Sequence, residues 1–453
     1  MKVSKLTKYL FFLLGFGPVI LMAQQEITLG EALSYAIRHK SDAKKALLDI
    51  ENAEYQIQET KAKLYPQISG NAGITNNPLL QKSALPGDLV GQPGTTILAT
   101  FGQKWNASAG VGLSQRLFDQ AVFTGLRAAR STREFYQLNA ELTKEDLIQR
   151  VAENYYQVYI EMEKLKVVDS SLANTQKVRE VMLGQYTNGL ARKIDLDRLD
   201  VKITNLKTNR QKVINALDIQ KNTLKFFMGM DISTDIVLPE LFMGEPLVVE
   251  EGGPLVDVSH LLAYRLLEQQ EQLLIQQKKS VQAEYYPTLS LEGNYSYQGL
   301  GNDFPIFPAE GDNANWFDVA SLGLALKVPL FKGFSVRSRV RQADVELKGL
   351  KEDLKDAKLS LQLDYLNARA QFENSVETIK NQHVNVSLAQ SVLDDTNNNY
   401  FHGLATLTDL LDAQTSLTES KNNLNQALLE LKVAELRLLK SKGELLSLVP
   451  NTD

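Results

Sequence analysis

The sequence predicts an α+β membrane protein with an internal structural repeat, four strands per chain and long helical hairpins. Three observations lead to this prediction: short motifs occur twice in the same order, long stretches without proline show helical periodicity, and four segments alternate apolar with polar residues. A repeated unit of about half the 453-residue chain is too long for a solenoid repeat and indicates pseudo-symmetry.

Three motifs define the repeat. Tyr65-Pro66 returns as Tyr286-Pro287, LSQRLFD at 113–119 returns as LKVPLFKGF at 326–334, and QYTNGLARKIDLDRLD from Gln185 returns as NYFHGLATLTDLLDA from Asn399. The offset is about 220 residues at the first motif and about 214 at the later two, so the segment between the first two motifs is predicted to be a loop. We predict a first repeat at 24–240 and a second at 241–453, each with a helix, a strand pair and a long helical hairpin.

Residues 1–23 are predicted to be a secretory signal peptide. Three lysines precede the apolar run Tyr9–Met22, and Ala23 supplies a small residue for cleavage. A retained signal anchor is the alternative. The chain has no cysteine, which excludes disulfides, thiolate metal ligands and a lipidated N-terminal cysteine. Its net charge of −5 makes nucleic acid an improbable partner.

The predicted hairpins lie in the two stretches 94–238 and 330–449, which contain no proline. Proline costs about 3 kcal/mol inside a helix, so long helices are permitted there. Each stretch has a glycine in a polar break, Gly189 or Gly403, where we predict a tight turn between two antiparallel helices. The first arm, about Gly125 to Tyr186, has a length typical of coiled coils and bundles.

Shorter helices are predicted at 29–64 and 255–285, each directly before a strand pair. There the hydrophobic period changes from 3.6 to 2. The four predicted membrane strands lie near 67–75, 104–115, 288–298 and 320–328. Each has about the 9–11 residues with which a tilted strand crosses a bilayer. A soluble sandwich is the alternative. Gly/Pro-rich loops at 76–103 and 299–315 join the strands within each pair, and Gly229–Ser259 is predicted to link the repeats.

Four membrane strands leave open edges, and unpaired backbone groups cannot face lipid. The sheet must therefore close with further copies of the chain. Two copies would give a narrow barrel filled by side chains, whereas three would give twelve strands with room for a lumen lined by the polar faces.

The chain resembles the TolC-like outer-membrane efflux family over nearly its whole mature length, because both copies of all three motifs stand in the same order. The resemblance implies a homotrimer with a twelve-stranded outer-membrane β-barrel, continued by a long periplasmic α-helical coiled-coil barrel. It implies a passive exit duct of a tripartite efflux or type I secretion system in a Gram-negative bacterium. A periplasmic adaptor (membrane fusion) protein and an inner-membrane pump (RND, ABC or similar) would open it at its periplasmic tip.

The resemblance also implies a periplasmic gate at the ends of the helical pairs. Asp409 and Asp412 align with acidic positions that ring the constriction, and Asp195 is the equivalent position in the first repeat. Tyr400 matches a tip tyrosine that latches neighbouring helices. The alternative is that the two ring aspartates are ordinary helix-start residues, since Asp suits a first helical turn.

One position departs from the family pattern. The family's prototype has an arginine where this chain has Ala405, so the closed-state latch is expected to be built differently. Arg192, Lys193 and Arg198 of the first repeat are the candidates to replace it.

The resemblance further implies that Gly189-Leu190 and Gly403-Leu404 form the tips against which adaptor hairpins dock. Glycine supplies a positive φ at a turn, so turn chemistry alone would also explain both glycines. No enzyme activity and no cofactor are implied, and outer-membrane lipid is the expected surrounding of the strands.

Two other classes of function compete with this reading. A trimeric coiled-coil surface adhesin, or another structural envelope protein, would need a strict heptad stalk and a single anchor at one end. An outer-membrane hydrolase would need a nucleophile elbow or a triad, and the sequence has no such arrangement. The histidines, which are His39, His260, His383 and His402, share no ligand spacing, so no metal site is expected.

Overall fold

The structure is a computed structural model that describes residues 25–239, 257–306 and 314–450. The predicted signal peptide lies outside these residues, as does most of the predicted linker between the repeats. The chain divides into two compact units. A helical unit comprises 1–46, 140–262 and 358–453, and a sheet unit comprises 47–139 and 263–357.

Helices and strands alternate in two similar series. In chain order the elements are β1 (Gln25–Glu26), α1 (Leu29–His39), α2 (Ser41–Ala62), β2 (Gln67–Asn76), β3 (Lys82–Pro86), β4 (Thr96–Thr100), β5 (Trp105–Asp119), α3 (Gln120–Thr187), α4 (Lys193–Met228), β6 (Ile236–Val237), α5 (Leu262–Gln282), β7 (Thr288–Gly301), β8 (Asn315–Lys327), α6 (Ser335–Phe401) and α7 (Leu407–Ser441). No helix among the described residues combines the length and the apolar character needed to cross a membrane.

The sheet unit contains a four-stranded antiparallel sheet in the order β2-β5-β7-β8. The prediction of four such strands in each chain is confirmed, and each strand overlaps one of the four predicted segments. β5 and β7 pair from Trp105 opposite Gly301 to Asp119 opposite Thr288, with a bulge between Arg116 and Phe118. β2 and β8 are the two edges of this sheet.

The segment 76–103, predicted to be a loop, contains a second small sheet. β3 and β4 pair antiparallel from Lys82 opposite Thr100 to Pro86 opposite Thr96. A single 3₁₀ turn joins them and ends at Gly91, whose φ of 77° is left-handed. Apolar and polar residues do not alternate in KSALP at 82–86 or TILAT at 96–100, and glycines and prolines surround both segments, so the sequence gives no clear strand signal here.

α3 and α6 are the long first arms of the two predicted hairpins, with 68 and 67 residues. α3 begins at Gln120, directly after β5, because Asp119 caps it. One oxygen of the Asp119 carboxylate accepts from the backbone N–H of Ala121 at 3.0 Å, and the other pairs with Arg116 at 2.9 Å. A carboxylate at a helix N-terminus satisfies an otherwise unpaired N–H group and interacts favourably with the helix dipole.

The prediction of a single helix at 29–64 is wrong, because the chain breaks at Lys40. This residue is extended, with φ −64° and ψ 135°, between α1 and α2. Its Nζ donates to the carbonyl of Phe226 at 2.8 Å and lies 3.6 Å from the centre of that ring. A Cβ on Gly229 would approach the Cα of Lys40 to 2.9 Å, so the two backbones are in close contact. This long-range packing outweighs the helical periodicity.

The helix predicted at 255–285 begins later than expected. Its described part opens with a 3₁₀ turn at Val258–His260, α5 starts only at Leu262, and a second 3₁₀ turn covers Ala283–Tyr285. The intervening Leu261 is extended, with ψ 136°.

The main core of the helical unit forms around Tyr155, which is fully buried in α3. Its hydroxyl donates to the carbonyl of Ile27 at 3.0 Å. Burial raises the pKa of Tyr155, and it raises the pKa of the neighbouring Tyr156 to about 12, so both phenols are neutral at any physiological pH. Leu33 and Leu224 complete the contacts that join α1, α3 and α4.

An ion-pair cluster in the sheet unit joins the segment before β7 to the start of α6. Arg339 donates to both oxygens of Glu284 at 2.6 and 2.7 Å, and Lys332 donates at 3.2 Å. The hydrogen bond from Arg339 is the main cause that lowers the pKa of Glu284 to about 2. A bidentate arginine fixes the carboxylate more firmly than a single contact does.

Candidate functional site

The two predicted tips are near-identical turns. Gly189 and Gly403 both have φ 73°. In each turn the glycine N–H donates to the carbonyl three residues earlier, at 2.9 Å in the first and 3.0 Å in the second. The following leucine N–H donates to the carbonyl five residues earlier, at 2.8 Å in both. These bonds satisfy carbonyl groups at the end of the first helix, and the left-handed conformation favours glycine.

At each tip a leucine side chain is exposed to solvent in the single chain. Leu190 is 80% exposed and Leu404 is 77% exposed. No atom lies within 4 Å of the position that a Cβ would occupy on Gly189 or Gly403. The turn therefore requires glycine for its backbone conformation and not because the surroundings are crowded.

Below the tips, residues from the two hairpins pack against one another. Met182, Leu196 and Leu199 of the first hairpin form a buried cluster with Leu407 of the second, and Tyr400 packs against it. A groove of about 390 Å³ lies beside this cluster. Its lining residues are Met182, Gln185, Leu190, Ala191, Arg192, Asp195, Arg198, Tyr400, Thr406, Leu407 and Thr408. The structure thus places two predicted gate residues, Asp195 and Tyr400, in one groove.

Asp195 lies between two arginines of its own hairpin. Arg192 Nε donates to one carboxylate oxygen at 3.0 Å, and Arg198 Nη1 lies 3.8 Å from the other. The Asp195 side chain is only 13% exposed, whereas both arginines are largely exposed. Burial, and secondarily the charge of Asp195, raise the pKa of Tyr400, so the phenol stays protonated.

Arg198 also reaches the second hairpin, where its Nη1 donates to Thr408 Oγ1 at 3.4 Å. Lys202 makes a second connection of this kind, donating to Thr415 Oγ1 at 2.8 Å. Cationic side chains of the first repeat therefore contact hydroxyl groups of the second. Among the described contacts Lys193, the third candidate for the latch, forms no ion pair and no side-chain hydrogen bond.

Asp409 is a capping residue in the structure. Thr406 Oγ1 and the backbone N–H of Thr406 both donate to its carboxylate, at 2.7 and 2.8 Å. Its own N–H donates to Thr406 Oγ1 at 3.2 Å, which completes a capping box at the start of α7. The hydrogen bonds from Thr406 lower the pKa of Asp409. Asp409 therefore fits the alternative that it is an ordinary residue of a helix start. Its carboxylate is also exposed and charged.

Asp412 is exposed one turn further along α7. Over the residues that the structure describes, its carboxylate takes part in no hydrogen bond and no ion pair. Of the two predicted ring positions, Asp412 is thus the one whose carboxylate has no partner among the described residues.

Sequence reasoning missed the polar contacts that join neighbouring helices. Arg179 forms an ion pair with Asp200 across the first hairpin, and this hydrogen bond lowers the pKa of Asp200. Lys440 donates to Asp146 at 2.7 Å between α7 and α3. These partners are far apart in sequence and show no motif, so no local signal indicates them. No group of three or more metal-ligating side chains occurs in the described ranges.

Comparison with known proteins identifies relatives over most of the chain. The family described as outer membrane efflux protein matches residues 32–230 and 265–444. The outer membrane protein TolC of Vibrio cholerae is 24% identical over 343 residues, which cover 75% of this chain and 77% of that protein.

Solved structures share the fold. The outer membrane protein VceC of Vibrio cholerae superposes with a TM-score of 0.69 at 17% identity, covering 92% of this chain and 96% of that one. The open-state outer membrane channel MtrE of Neisseria gonorrhoeae gives a TM-score of 0.71 at 18% identity, covering 94% and 90%. At such identities the likeness concerns the fold alone.

Proposed function

Because the chain belongs to the outer membrane efflux protein family, we propose that it is the passive exit duct of an export system in the outer membrane of a Gram-negative bacterium. The proposal rests on one observation. The family matches both repeats of the chain, and the four proposed membrane strands form a sheet whose two edge strands, β2 and β8, each pair on one side only. Such a sheet is incomplete in lipid and is completed by closure with further copies. Three copies give twelve strands and a lumen.

The helical tips are the periplasmic gate of this duct. Asp195 and Tyr400 line one groove, and the exposed carboxylate of Asp412 has no hydrogen-bond or ion-pair partner among the described residues. Three-fold repetition would bring Asp409 and Asp412 into a ring of carboxylates, which attracts cations and repels anions.

Replacing Asp412 by Asn is expected to lower the cation-over-anion permeability ratio of the channel several-fold, because it removes one free charge from each subunit. Reversal potentials in a salt gradient across a planar bilayer measure this ratio. Glu419→Gln, an exposed carboxylate two turns further along α7, is the matched control and should leave the ratio unchanged. Equal effects of the two substitutions would contradict a ring at Asp412.

Arg192 and Arg198 are proposed to form the closed-state latch, because this chain has Ala405 where the family's prototype has an arginine. Both contact Asp195, and Arg198 reaches Thr408 of the second hairpin. Reversing the charge at Arg192, Lys193 and Arg198 together should raise the conductance of the closed channel, because Asp195 would then be repelled by its neighbours. Single-channel recording without an adaptor measures this conductance. An unchanged closed-state conductance would eliminate these residues as the latch.

The exposed leucines of the two tips are the proposed docking points of a periplasmic adaptor protein, which couples the duct to an inner-membrane pump. Leu190 and Leu404 offer apolar contact area, and the adjoining turns leave open space. The pump supplies the energy, since no catalytic arrangement is found in the sequence.

Reconstitution of the purified protein into planar bilayers tests the proposed function. We expect discrete conductance steps whose closure depends on the helical tips. A coiled-coil adhesin or an envelope hydrolase would give no such steps. A protein that remains monomeric in detergent and gives no conductance would refute the duct.

A further inference from the structure

A basic segment joins β8 to the start of α6. Between Val319 and Ala343 the chain has five lysines and arginines and no aspartate or glutamate. These cations are Lys327, Lys332, Arg337, Arg339 and Arg341. In the duplicated motif, Lys332 of LKVPLFK stands where LSQRLFD has Asp119, the residue that caps α3. The second repeat therefore carries a positive charge where the first carries a carboxylate.

Part of this segment lines an open hollow of about 230 Å³ in the sheet unit. Glu284 lies at the hollow, and its carboxylate accepts from Arg339 and Lys332. Arg337 also lines the hollow and is exposed, and it takes part in no hydrogen bond and no ion pair among the described residues. One carboxylate thus accompanies three cationic side chains, so these groups together carry a net positive charge.

Three apolar side chains beside these cations are exposed. Leu330 is 93% exposed, Phe331 73% and Phe334 65%, and the two rings pack edge to face with their centres 5.3 Å apart. Phe334 has φ 62°, and no other non-glycine residue in the described part of the chain has a positive φ. A bulky residue rarely adopts this left-handed conformation. Because the Phe334 ring is exposed, packing within the chain does not explain why the conformation is kept.

The proposed function places this segment at the periplasmic boundary of the membrane. β8 ends at Lys327 and α6 begins at Ser335, so the residues between them connect a membrane strand to a periplasmic helix. Aromatic side chains concentrate at membrane boundaries, and basic side chains there attract anionic lipid headgroups. Exposed apolar groups next to surplus positive charge therefore match a phospholipid, which offers a phosphate and a hydrocarbon chain.

We propose that this surface binds an anionic phospholipid of the inner leaflet, with its phosphate on Lys332 and Arg337 and its hydrocarbon along Leu330, Phe331 and Phe334. The inference rests on the proposed function, which sets the membrane boundary at the end of β8. A free phosphate ion would leave the apolar side chains uncovered. A neighbouring protein surface would need carboxylates to match the positive charge. Only a lipid supplies both groups in one molecule.

Native mass spectrometry of the purified, assembled protein in detergent tests this site by counting bound lipids. Phosphatidylglycerol, which is anionic, should bind several-fold more tightly than zwitterionic phosphatidylcholine. Arg337→Gln should weaken the binding of phosphatidylglycerol about fivefold, because a basic side chain near an anionic headgroup loses its attraction. It should also reduce the preference over phosphatidylcholine. Phe331→Ala should weaken the binding of both lipids, since it removes apolar contact area.

The matched control is Lys348→Gln. Lys348 is an exposed cation on α6, three helical turns or about 16 Å beyond Arg337, and it does not line the hollow. Its replacement removes the same charge and should leave lipid binding unchanged. Inorganic phosphate in large excess should fail to displace the bound lipid. Displacement would show a site for the phosphate ion alone, which would overturn the lipid site.

Three further results decide between this inference and the proposed function. Equal binding of the two lipids, or equal losses for Arg337→Gln and Lys348→Gln, would overturn the lipid site. Loss of the trimer from Arg337→Gln on gel filtration would assign the surface to contacts between copies, and would overturn it as well. In both cases normal conductance of the parent protein in planar bilayers would leave the duct intact. A parent protein that gives no conductance would instead refute the proposed function.

Discussion

A tryptophan in place of Gly403 is expected to abolish export while leaving the assembled protein intact. Gly403 has φ 73° and open space around its missing Cβ, so a large side chain meets nothing within the chain. The left-handed backbone costs a non-glycine residue about 1–2 kcal/mol, which a protein of this size tolerates locally. The indole would instead occupy the surface beside Leu404, where we propose that the adaptor docks.

Susceptibility of the host to a panel of toxic compounds, together with chemically cross-linked trimer on gels, measures the two effects separately. Gly403→Asn is the matched control, since asparagine adopts the left-handed conformation more readily than other residues and is small. It should retain most of the export. If Gly403→Trp removed the trimer itself, the tip would be needed for assembly and the docking proposal would be wrong.

Replacing Tyr155 by Ala should destabilise the helical unit by about 3–5 kcal/mol, the usual range for deleting a buried aromatic ring. Tyr155 is fully buried, and its hydroxyl donates to the carbonyl of Ile27. Tyr155→Phe keeps the ring and loses the hydrogen bond, so its cost should be nearer 1 kcal/mol. The midpoint of unfolding in detergent, followed by far-UV circular dichroism against denaturant, gives the difference between the variants.

The matched control is Tyr55→Ala in α2. That tyrosine is 58% exposed, and its hydroxyl donates only to the exposed Glu51 at 3.2 Å. Its removal should change the free energy of unfolding by less than about 0.5 kcal/mol, as for most surface substitutions. Equal losses for Tyr55→Ala and Tyr155→Ala would show that the cluster around Tyr155 is not the core that stabilises the protein.

Elements with a strong local pattern could be predicted from the sequence. Alternation alone located the four strands of the large sheet, and the absence of proline located the long hairpins with their glycine turns. The break at Lys40 could not be predicted, since it depends on a contact with Phe226, which lies 186 residues further along the chain. Helical periodicity continues across that position, and only tertiary packing interrupts it.

The candidate site shows the same limit. The family resemblance led to Asp195 and Tyr400, and the structure places them in one groove. The sequence did not distinguish Asp409 from Asp412, although the Thr-x-x-Asp pattern before the helix is a local signal for a cap. The contacts of Arg198 with Asp195 and Thr408 needed the structure, because they depend on how two distant hairpins pack.

The two tips differ in how their second helices begin. α7 starts with a capping box at Thr406. Arg192, the residue before α4, offers no side-chain cap. At the start of α4, Asp195 instead forms ion pairs with two exposed arginines. Exposed ion pairs weaken as ionic strength rises, whereas short hydrogen bonds between a hydroxyl and the backbone are much less sensitive to it. A rise in ionic strength is therefore expected to weaken the start of α4 slightly more than the start of α7, so the two tips of the duplicated chain should respond differently to salt.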